Sequence, residues 1–449
     1  MNTMNRRDVL KASGLGAVAL LTPSARAQEA AEDRLRIGVV GVGGRGGANL
    51  GGVRRENIVA LCDINPANLA RARERYSDAR ACTDWRELVV RDDIDAVVVS
   101  TPDHHHALVS LAAMQANKHV YCEKPLAHTV LEARLMQEAY IAKRGRVATQ
   151  MGTQIHASGN FRRVVELIQS GAIGPIREAH VWCNRGMAPI DEVVLEAQPV
   201  PTDFDWDVWL GPAAERAYNE GYWRGGCTRW ERRWDFGNGV LGDMGSHLID
   251  LPFWALQLRD PIEIRSEGPE PDAVRCPTWQ EITWDHPARE ANEFLNVPCR
   301  LKWYHGVEGM RRRATYLQPR VEKDTDINDW AIGVAFIGDG GVLVADYRKH
   351  LLSPVSQFAD FTPPEPSIPD SLGHYAEWIH AAKTGGESLC NFDYSGKLIE
   401  NNLLGNVAHR VGRPLRWNAS EFTVENDAAA TALLTKSYRE GWDVHQWAR

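Results

Sequence analysis

The 449-residue sequence predicts two domains, a doubly wound parallel α/β sheet followed by an α+β domain with a mostly antiparallel sheet. Continuous apolar strands alternate with helical segments between residues 35 and 122, which is typical of a parallel sheet covered on both faces. Farther along, apolar and polar residues alternate as they do in antiparallel strands. These stretches are residues 176–182, 300–304, 331–337 and 341–346. The length exceeds that of one ordinary domain and suits two.

The composition favours an enzyme or a small-molecule binder over a nucleic-acid-binding protein. The chain is 44% hydrophobic and 24% charged, with a formal net charge of -8 and no long run of like charges. A nucleic-acid partner would require a basic surface to meet its phosphates. The eight cysteines show no metal-ligand spacing, so we predict no structural metal and assign no disulfide pairing.

The N-terminus predicts an export signal. Arg6 and Arg7 precede a weakly apolar run at residues 12–21, and residues 25–27 form an A-x-A cleavage pattern. The run of about ten residues is too short to span a bilayer core of about 30 Å. We predict a twin-arginine signal peptide at residues 1–27, export of the folded protein to the periplasm, and a mature chain without a membrane span that begins near Gln28.

A glycine-rich loop between two strands predicts a dinucleotide site. The first apolar strand, residues 35–40, runs directly into the G-x-G-x-x-G motif of residues 41–46, and a helical segment follows. The second strand, residues 58–62, ends at Asp63. This order of strand, glycine loop, helix, strand and acidic residue is the dinucleotide-binding fingerprint, so we predict a Rossmann domain at residues 34–155.

Each element of that fingerprint has a physical role in this sequence. Gly41 permits the tight turn, Gly43 lets the backbone approach a pyrophosphate, and Gly46 allows the helix to pack closely on the strand. The pyrophosphate would meet the helix N-terminus, beside Arg45. Asp63 would accept hydrogen bonds from the adenosine ribose and repel a 2′-phosphate, which favours NAD and makes NADP the weaker candidate.

Two further strand ends carry polar residues that should face the cofactor. The strand at residues 96–100 is followed by Thr101-Pro102-Asp103-His104-His105-His106, and the strand at residues 119–122 is followed by Glu123-Lys124-Pro125. Ligands bind beyond the carboxyl ends of the strands in such sheets. Three successive histidines suggest a metal, but adjacent side chains point in different directions and no partner ligand has suitable spacing. We therefore predict no metal here.

The pairing of these two loops resembles the Gfo/Idh/MocA family, which includes glucose–fructose oxidoreductase and inositol dehydrogenases. The resemblance spans most of the mature chain and is reinforced by Gly152-Thr153-Gln154 and by residues 161–174. It implies that Thr101, Pro102 and His106 border the nicotinamide, and that Lys124 is catalytic and precedes a proline that is often cis. Glu123 is placed with them on the cofactor side. The resemblance also implies a large, open second sheet at residues 156–449 that often serves in homo-oligomer formation.

One segment of the second domain supplies a candidate acid–base pair. A glycine-rich loop leads into a helix near Leu241, which Pro252 should end or kink. Asp243, His247 and Asp250 follow at helical spacing and should share one face. From the residues alone, this face could equally be a solvated surface cluster. The resemblance instead implies that Asp243 and His247 are catalytic.

The chemistry of alcohol oxidation agrees with this assignment. Hydride loss from a secondary alcohol requires a base for the hydroxyl proton, and histidine has a suitable pKa. We predict that His247 takes the proton, that Lys124 stabilises the developing alkoxide, and that Asp243 orients the substrate or the imidazole. Further residues that we expect to line the sugar pocket are Gln154, Arg185, Trp223 and Trp230, with Arg229 and Arg233 beside them.

The predicted function is an NAD-dependent oxidoreductase acting on a secondary alcohol of a sugar, glycoside or cyclic polyol, with a tightly bound cofactor. The sixteen tryptophans suggest that at least one indole forms a platform for a sugar ring. Two alternatives remain open from the sequence. One is an NAD-dependent glycoside hydrolase that oxidises C3 transiently and eliminates the aglycone. The other is a sugar-binding protein that retains its cofactor without turnover.

Overall fold

The computed structural model describes residues 33–190, 194–321 and 326–448. The predicted signal peptide, residues 1–27, lies outside the described residues. In the first domain, parallel strands form a sheet in the order β3-β2-β1-β4-β5-β6. The strands are β1 (Arg36–Val40), β2 (Asn57–Cys62), β3 (Arg80–Cys82), β4 (Ala96–Val99), β5 (His119–Cys122) and β6 (Thr149–Met151). The connecting helices are α1 (Arg45–Gly52), α2 (Pro66–Arg75), α3 (Trp85–Val89), α4 (Asp103–Gln115) and α5 (Val130–Ala142). The predicted doubly wound parallel sheet is confirmed.

The central strands of this sheet are buried on both faces. All four residues of β4 are fully buried, and the side chains of Val97 and Val98 belong to hydrophobic clusters on opposite sides of the sheet. Such strands lack polar positions because helices cover both faces. Side-chain caps begin several helices; for example, Asn65 accepts from the Ala67 N–H, and Thr129 accepts from the Glu132 N–H.

The second domain is built on a mixed, largely antiparallel sheet. Its order is β13-β12-β11-β7-β10-β9-β8-β14-β15, and β7 pairs with β10 in parallel while the other described pairs are antiparallel. The strands are β7 (Ile176–Cys183), β8 (Glu263–Glu267), β9 (Gln280–His286), β10 (Cys299–His305), β11 (Ile332–Gly338), β12 (Gly341–Ala345), β13 (His350–Ser353), β14 (Leu415–Asn418) and β15 (Thr423–Val424). The helices are α6 (Gly159–Gln169), α7 (Trp206–Leu210), α8 (Cys227–Trp230), α9 (Ser246–Leu248), α10 (Asp250–Ala255), α11 (Gly306–Leu317), α12 (His374–Thr384), α13 (Phe392–Val411) and α14 (Ala428–Ala432). The predicted α+β class is confirmed.

Alternation along β7 assigns the two faces of this sheet. Ala179 and Val181 belong to the main core, whereas Trp182 belongs to a separate cluster with Tyr304 and Leu317 at the end of α11. Residues with a period of two point to opposite faces of a strand. Helix α11 and the residues after it therefore cover part of the face opposite the main core.

Helix α12 belongs by packing to the first sheet, although it lies far along the chain. Trp378 is fully buried in the cluster that contains Val39 and Tyr121, and its indole N–H donates to the Ala148 carbonyl at 3.2 Å. The first and second domains are therefore joined by more than one chain crossing. No helix in the described ranges is both long enough and apolar enough to cross a membrane.

Candidate active site

The glycine loop after β1 has the geometry that the fingerprint requires. Gly41 has φ of 81°, and a Cβ there would lie 2.5 Å from the Ser100 carbonyl oxygen. A Cβ on Gly46 would collide with the backbone of Gly41, so the start of α1 rests directly on the loop. Both positions exclude larger residues, as expected where a helix must pack closely on a strand.

Asp63 at the end of β2 holds the same loop from the other side. Its Oδ2 accepts from the Val42 N–H at 2.9 Å and from the Gly43 N–H at 3.1 Å, and its Oδ1 accepts from the Asn65 N–H at 2.8 Å. Burial raises the pKa of Asp63 above its usual value, and these hydrogen bonds oppose the rise. Asp63 is thus bonded to the loop that would receive a pyrophosphate, and it also lines the adjoining cavity.

A cavity of about 710 Å³ extends from the glycine loop into the second domain. It lies at the carboxyl ends of β1, β2, β4 and β5, where ligands bind in doubly wound sheets. The predicted site residues in its wall are Gly41, Gly43, Arg45, Asp63, Thr101, Pro102, Glu123, Lys124, Trp223, Trp230 and Asp243. The structure therefore brings two predicted catalytic residues, Lys124 from the first domain and Asp243 from the second, to one cavity.

Lys124 and Asp243 form an ion pair in the wall of this cavity. The peptide bond between Lys124 and Pro125 is cis. The other oxygen of Asp243 pairs with Arg185, and Arg185 also pairs with Glu231. The side chains form a continuous alternation of charges, Lys124–Asp243–Arg185–Glu231. Arg185 is thus a partner of two cavity residues rather than a member of the cavity wall, where it was expected.

His247 lies beside this charge chain and outside the cavity wall. The Nδ1 atom of its imidazole is 3.3 Å from the Thr153 hydroxyl oxygen. Burial lowers its pKa well below the usual value, and the positive charges of Lys124 and Arg45 lower it further. The imidazole is therefore neutral at neutral pH. Its hydrogen-bond partner is Thr153 and not Asp243, so Asp243 does not orient the imidazole; the substrate-orienting role stays a prediction.

The prediction that Asp243, His247 and Asp250 share one helical face is wrong for Asp250. Residues 241–245 form a turn of wider π-helix, and the chain after it stays helical through Ile249 into α10. Asp250 is fully buried away from the cavity, where it contacts His156 Nδ1 at 2.9 Å and accepts from the Tyr394 hydroxyl at 2.7 Å. The helix then continues through Pro252 to Ala255, so Pro252 does not end it. The π-helical turn changes the angular spacing that the prediction assumed.

Glu123 organises a second group of polar side chains on the cofactor side. Its Oε1 accepts from Arg45 Nε at 3.0 Å and from Gln154 Nε2 at 3.1 Å. Gln154 also donates to the Tyr121 hydroxyl at 3.1 Å. Gln154, predicted to contact substrate, therefore holds Glu123 instead and does not line the cavity. The aromatic ring of Tyr375 from α12 stacks on Tyr121 with 5.3 Å between ring centroids.

His106 does not face the cavity, which corrects its predicted contact with the cofactor. Its ring is buried between the Pro125 carbonyl, at 2.6 Å from Nδ1, and the Thr101 carbonyl, at 2.8 Å from Nε2. It therefore ties the two strand-end loops together. His104 and His105 are also buried, each with a ring nitrogen against the Trp209 carbonyl oxygen, and His105 in addition lines the cavity. Together these contacts account for the three histidines as packing residues of α4.

The outer part of the cavity wall contains aromatic rings. Trp223 is half-buried and stacks on Phe204, with ring centroids 4.7 Å apart. Trp223 and Trp230 both line the cavity, as expected for a sugar platform. Arg229 is exposed and is not part of the wall, and Arg233 is buried over the ring of Tyr222.

Sequence reasoning missed two acidic residues of the cavity wall, Asp103 and Glu231. Burial raises the pKa of Asp103 well above its usual value; the charge of Lys124 opposes this rise and that of Glu231 adds to it. Burial likewise raises the pKa of Glu231. Asp103 lies in the segment of residues 101–106 after β4, and Glu231 directly follows Trp230. Neither has a local pattern that distinguishes it from a surface carboxylate.

Two sequence-family models, one for each domain of a single oxidoreductase family, match this chain. The model described as the NAD-binding Rossmann fold matches residues 35–151, and the model described as the C-terminal alpha/beta domain matches residues 162–303. Together they cover more than half of the chain and both domains.

Curated relatives match part of the chain. Inositol 2-dehydrogenase of Gluconacetobacter diazotrophicus is 36% identical over 151 residues, which is 32% of this chain and 44% of that protein. Levoglucosan dehydrogenase of Pseudarthrobacter phenanthrenivorans is 33% identical over 191 residues, 42% of this chain and 40% of that protein. The chain spans less than half the length of these curated relatives.

Solved structures share the fold over most of both chains. The WlbA dehydrogenase from Bordetella pertussis, in complex with NADH and UDP-GlcNAcA, has a TM-score of 0.56 at 17% identity. The matched region is 86% of this chain and 99% of the WlbA chain. A levoglucosan dehydrogenase in complex with NADH and levoglucosan has a TM-score of 0.51 at 17% identity, covering 85% of this chain and 99% of its own. At this identity the likeness establishes the fold alone.

Proposed function

Because the chain belongs to the Gfo/Idh/MocA oxidoreductase family, we propose that it transfers hydride between NAD and a secondary alcohol of a neutral sugar, glycoside or cyclic polyol. The observation that carries the proposal is the ion pair of Lys124 with Asp243 in one cavity with the glycine loop. The ammonium group comes from the first domain and the carboxylate from the second. The ion pair therefore positions polar catalytic groups directly beyond the glycine loop.

The residues of the first domain fit the cofactor of this family. The turn at Gly41 and the close approach at Gly46 set the start of α1 against the cavity, where Gly43, Gly44 and Arg45 lie in the wall. Asp63 stands at the cavity edge, where its negative charge disfavours a 2′-phosphate and favours NAD. When bound, NAD supplies a nicotinamide ring that accepts or returns a hydride.

Removal of the substrate's hydroxyl proton requires a base, a hydrogen-bond donor to the oxygen, and residues that position both. His247 is neutral at neutral pH and accepts the hydroxyl proton of the substrate. The Lys124 ammonium donates a hydrogen bond to the same oxygen as negative charge develops on it. Asp243 fixes the position of Lys124 through their ion pair, and Thr153 contacts the imidazole through its hydroxyl.

The charge chain supports a neutral substrate. Lys124 and Arg185 are both already paired with carboxylates of the chain, Asp243 and Glu231. A substrate carboxylate or phosphate would have to displace one of these carboxylates and would lie next to the other. Like charges placed together cost several kcal/mol at an interface. The cavity therefore suits hydroxyl groups, with Trp223 and Trp230 positioned for the apolar face of a ring.

The proposal is tested by identifying the cofactor and then the substrate. The purified protein is denatured, the released dinucleotide is identified, and nicotinamide absorbance is followed while sugars are added to the native protein. The panel contains myo-inositol, levoglucosan and the matched pair of methyl glucoside and methyl glucuronide. We expect NAD, reduced by a neutral compound, with a rate at least about tenfold lower for the uronate. Absence of a bound or exchangeable nicotinamide cofactor would refute the proposal.

Location and assembly follow as further proposals. Arg6 and Arg7 precede an apolar run and an A-x-A pattern, which supports export of the folded protein to the periplasm. Export in the folded state would carry a tightly bound cofactor across the membrane. Cell fractionation with an Arg6→Lys, Arg7→Lys variant tests the route, and light scattering tests the proposed homo-oligomer.

A further inference from the structure

A second cavity, of about 350 Å³, lies behind the wall of the first. It is enclosed by α13, by the residues that begin α5 and by the C-terminal segment at residues 432–437. Among the described residues, none lines both cavities. Its volume is at the lower end of the range of small-molecule sites, about 300–1,000 Å³. A single monosaccharide-sized compound would fill it.

Arg410 gives this second cavity a positive charge, while the one carboxylate in its described wall, Asp235, pairs with Arg216. The guanidinium lies over the ring of Trp234, 5.3 Å from the centroid, and both residues line the cavity. No described carboxylate forms an ion pair with it. By contrast, Lys436 in the same wall pairs with Glu132 at 3.0 Å, and the nearby Arg413 pairs with Asp427 at 2.7 Å. Burial lowers the pKa of Arg410.

The start of α5 adds to this positive potential. Thr129 and Val130, at the N-terminal end of this 13-residue helix, line the cavity. The Leu131 N–H there donates to the Leu434 carbonyl at 2.9 Å and the Glu132 N–H to the Thr129 hydroxyl at 3.1 Å, so the helix dipole is what favours an anion at this end. The charge of Arg410 and the helix end thus act in the same cavity, so an anionic group is the expected occupant.

Asn406 supplies an independent requirement for a hydrogen-bond donor. It lies one turn before Arg410 on α13 and lines the cavity, and it is only 4% exposed. Its Nδ2 donates to the Asn238 carbonyl at 3.1 Å, while its Oδ1 has no hydrogen-bond partner in the described structure. A buried amide oxygen without a partner is costly, and a ligand hydroxyl would satisfy it.

We propose that this cavity binds a small hydroxylated organic anion, a sugar acid or a sugar phosphate, in a site separate from the active site. The anionic group pairs with Arg410, and a hydroxyl donates to Asn406 Oδ1. Asn238 connects the two cavities, since its Nδ2 also donates to Asp103 Oδ2 at 3.4 Å in the wall of the first. Three hydrogen bonds, through Asn406 and Asn238, would thus connect the second ligand to Asp103 in the wall of the first cavity.

The test is calorimetric binding of gluconate and of sorbitol to the full-length protein carrying its cofactor. The two compounds have the same carbon chain and differ in the carboxylate. We expect gluconate to bind and sorbitol to bind at least about tenfold more weakly, as for loss of a charge-assisted contact. Glucose 6-phosphate and inorganic phosphate form the other arms. Tighter binding of glucose 6-phosphate than of gluconate assigns a sugar phosphate, and the reverse order assigns a sugar acid.

Variants locate the binding. Arg410→Gln should weaken gluconate binding by about tenfold or more, and the matched control Arg413→Gln, whose side chain is exposed, should leave it unchanged. Lys124→Met, which alters the active site, should also leave it unchanged. If Lys124→Met abolishes gluconate binding while Arg410→Gln does not, the anion binds in the active site and the proposal is wrong.

Further outcomes of these binding measurements decide whether the proposed anion site stands. Equal binding of gluconate and sorbitol excludes an anion site, and inorganic phosphate binding as tightly as gluconate excludes the hydroxyl contact to Asn406. If Arg410→Gln does not fold, as judged by its thermal melt, the comparison of gluconate with sorbitol on Lys124→Met decides. Failure of these tests leaves the oxidoreductase proposal intact, because that proposal depends on cofactor release and sugar-dependent reduction.

Discussion

The replacement His247→Ala tests the proposed base directly. The imidazole is held by Thr153 at 3.3 Å, and burial together with the charges of Lys124 and Arg45 keeps it neutral. Removing a positioned general base typically costs about 10²–10⁴ in rate, which corresponds to about 2.7–5.4 kcal/mol of transition-state stabilisation. Lys124 and Asp243 remain in the variant, so residual activity from charge stabilisation should persist.

The assay is single-turnover reduction of the bound cofactor by the sugar identified in the screen. The matched control is His445→Ala, because His445 is an exposed histidine of the C-terminal segment and its loss should leave the rate unchanged. Substrate binding measured separately should change little in His247→Ala. Hydride transfer at the wild-type rate in this variant would exclude His247 as the base.

The pH dependence gives a second, independent check on His247. A base with a lowered pKa stays in its active, unprotonated form as the pH falls below 6.5, and activity is lost only when the pH passes through the lowered value. We therefore expect the wild-type rate to be level from neutral pH down to pH 6.5, with an acid limb below it. The limb should disappear in His247→Ala. An acid limb centred above 6.5 in the wild type would contradict the burial argument.

Three further replacements have defined outcomes. Asp63→Ser removes the charge that faces a 2′-phosphate, so the ratio of kcat/KM for NADP to that for NAD should rise by about tenfold or more; an unchanged ratio would exclude Asp63 from cofactor selection. Asp250→Ala leaves buried His156 and Tyr394 without their partner and should lower the free energy of unfolding by about 3–5 kcal/mol in urea melts. Glu231→Gln removes one of the two carboxylates that pair with Arg185 and leaves its pair with Asp243, so the rate with methyl glucuronide relative to methyl glucoside should rise by about tenfold; no change would show that the charge chain does not select neutral substrates.

The first domain could be predicted closely because its signals are local. Strands that are apolar at every position indicate a parallel sheet, and the G-x-G-x-x-G motif with Asp63 sets the loop, the helix and the next strand in order. The strand ends then placed Thr101 and Lys124 at the cavity. These inferences needed only neighbouring residues and the general rule for ligand position in such sheets.

Contacts between distant segments were outside the reach of the same reasoning. His106 stands in a motif associated with the cofactor, yet it bridges two backbone carbonyls, and Gln154 contacts Glu123 rather than the sugar pocket. The shared face expected for Asp243 and Asp250 failed because the backbone forms a π-helical turn between them. No sequence pattern signals such a turn or the direction of an individual side chain.

By itself, the amino-acid sequence determined the order of elements, the glycine loop and the residue types available for hydride and proton chemistry. Only the tertiary structure decided which of them meet: that Lys124 pairs with Asp243, that Arg185 and Glu231 extend this pair, and that Arg410 faces a second cavity. The physical reason is that periodicity and turn propensity act over a few residues. Ion pairing and burial depend on where the folded chain returns, as when α12 packs beneath the first sheet.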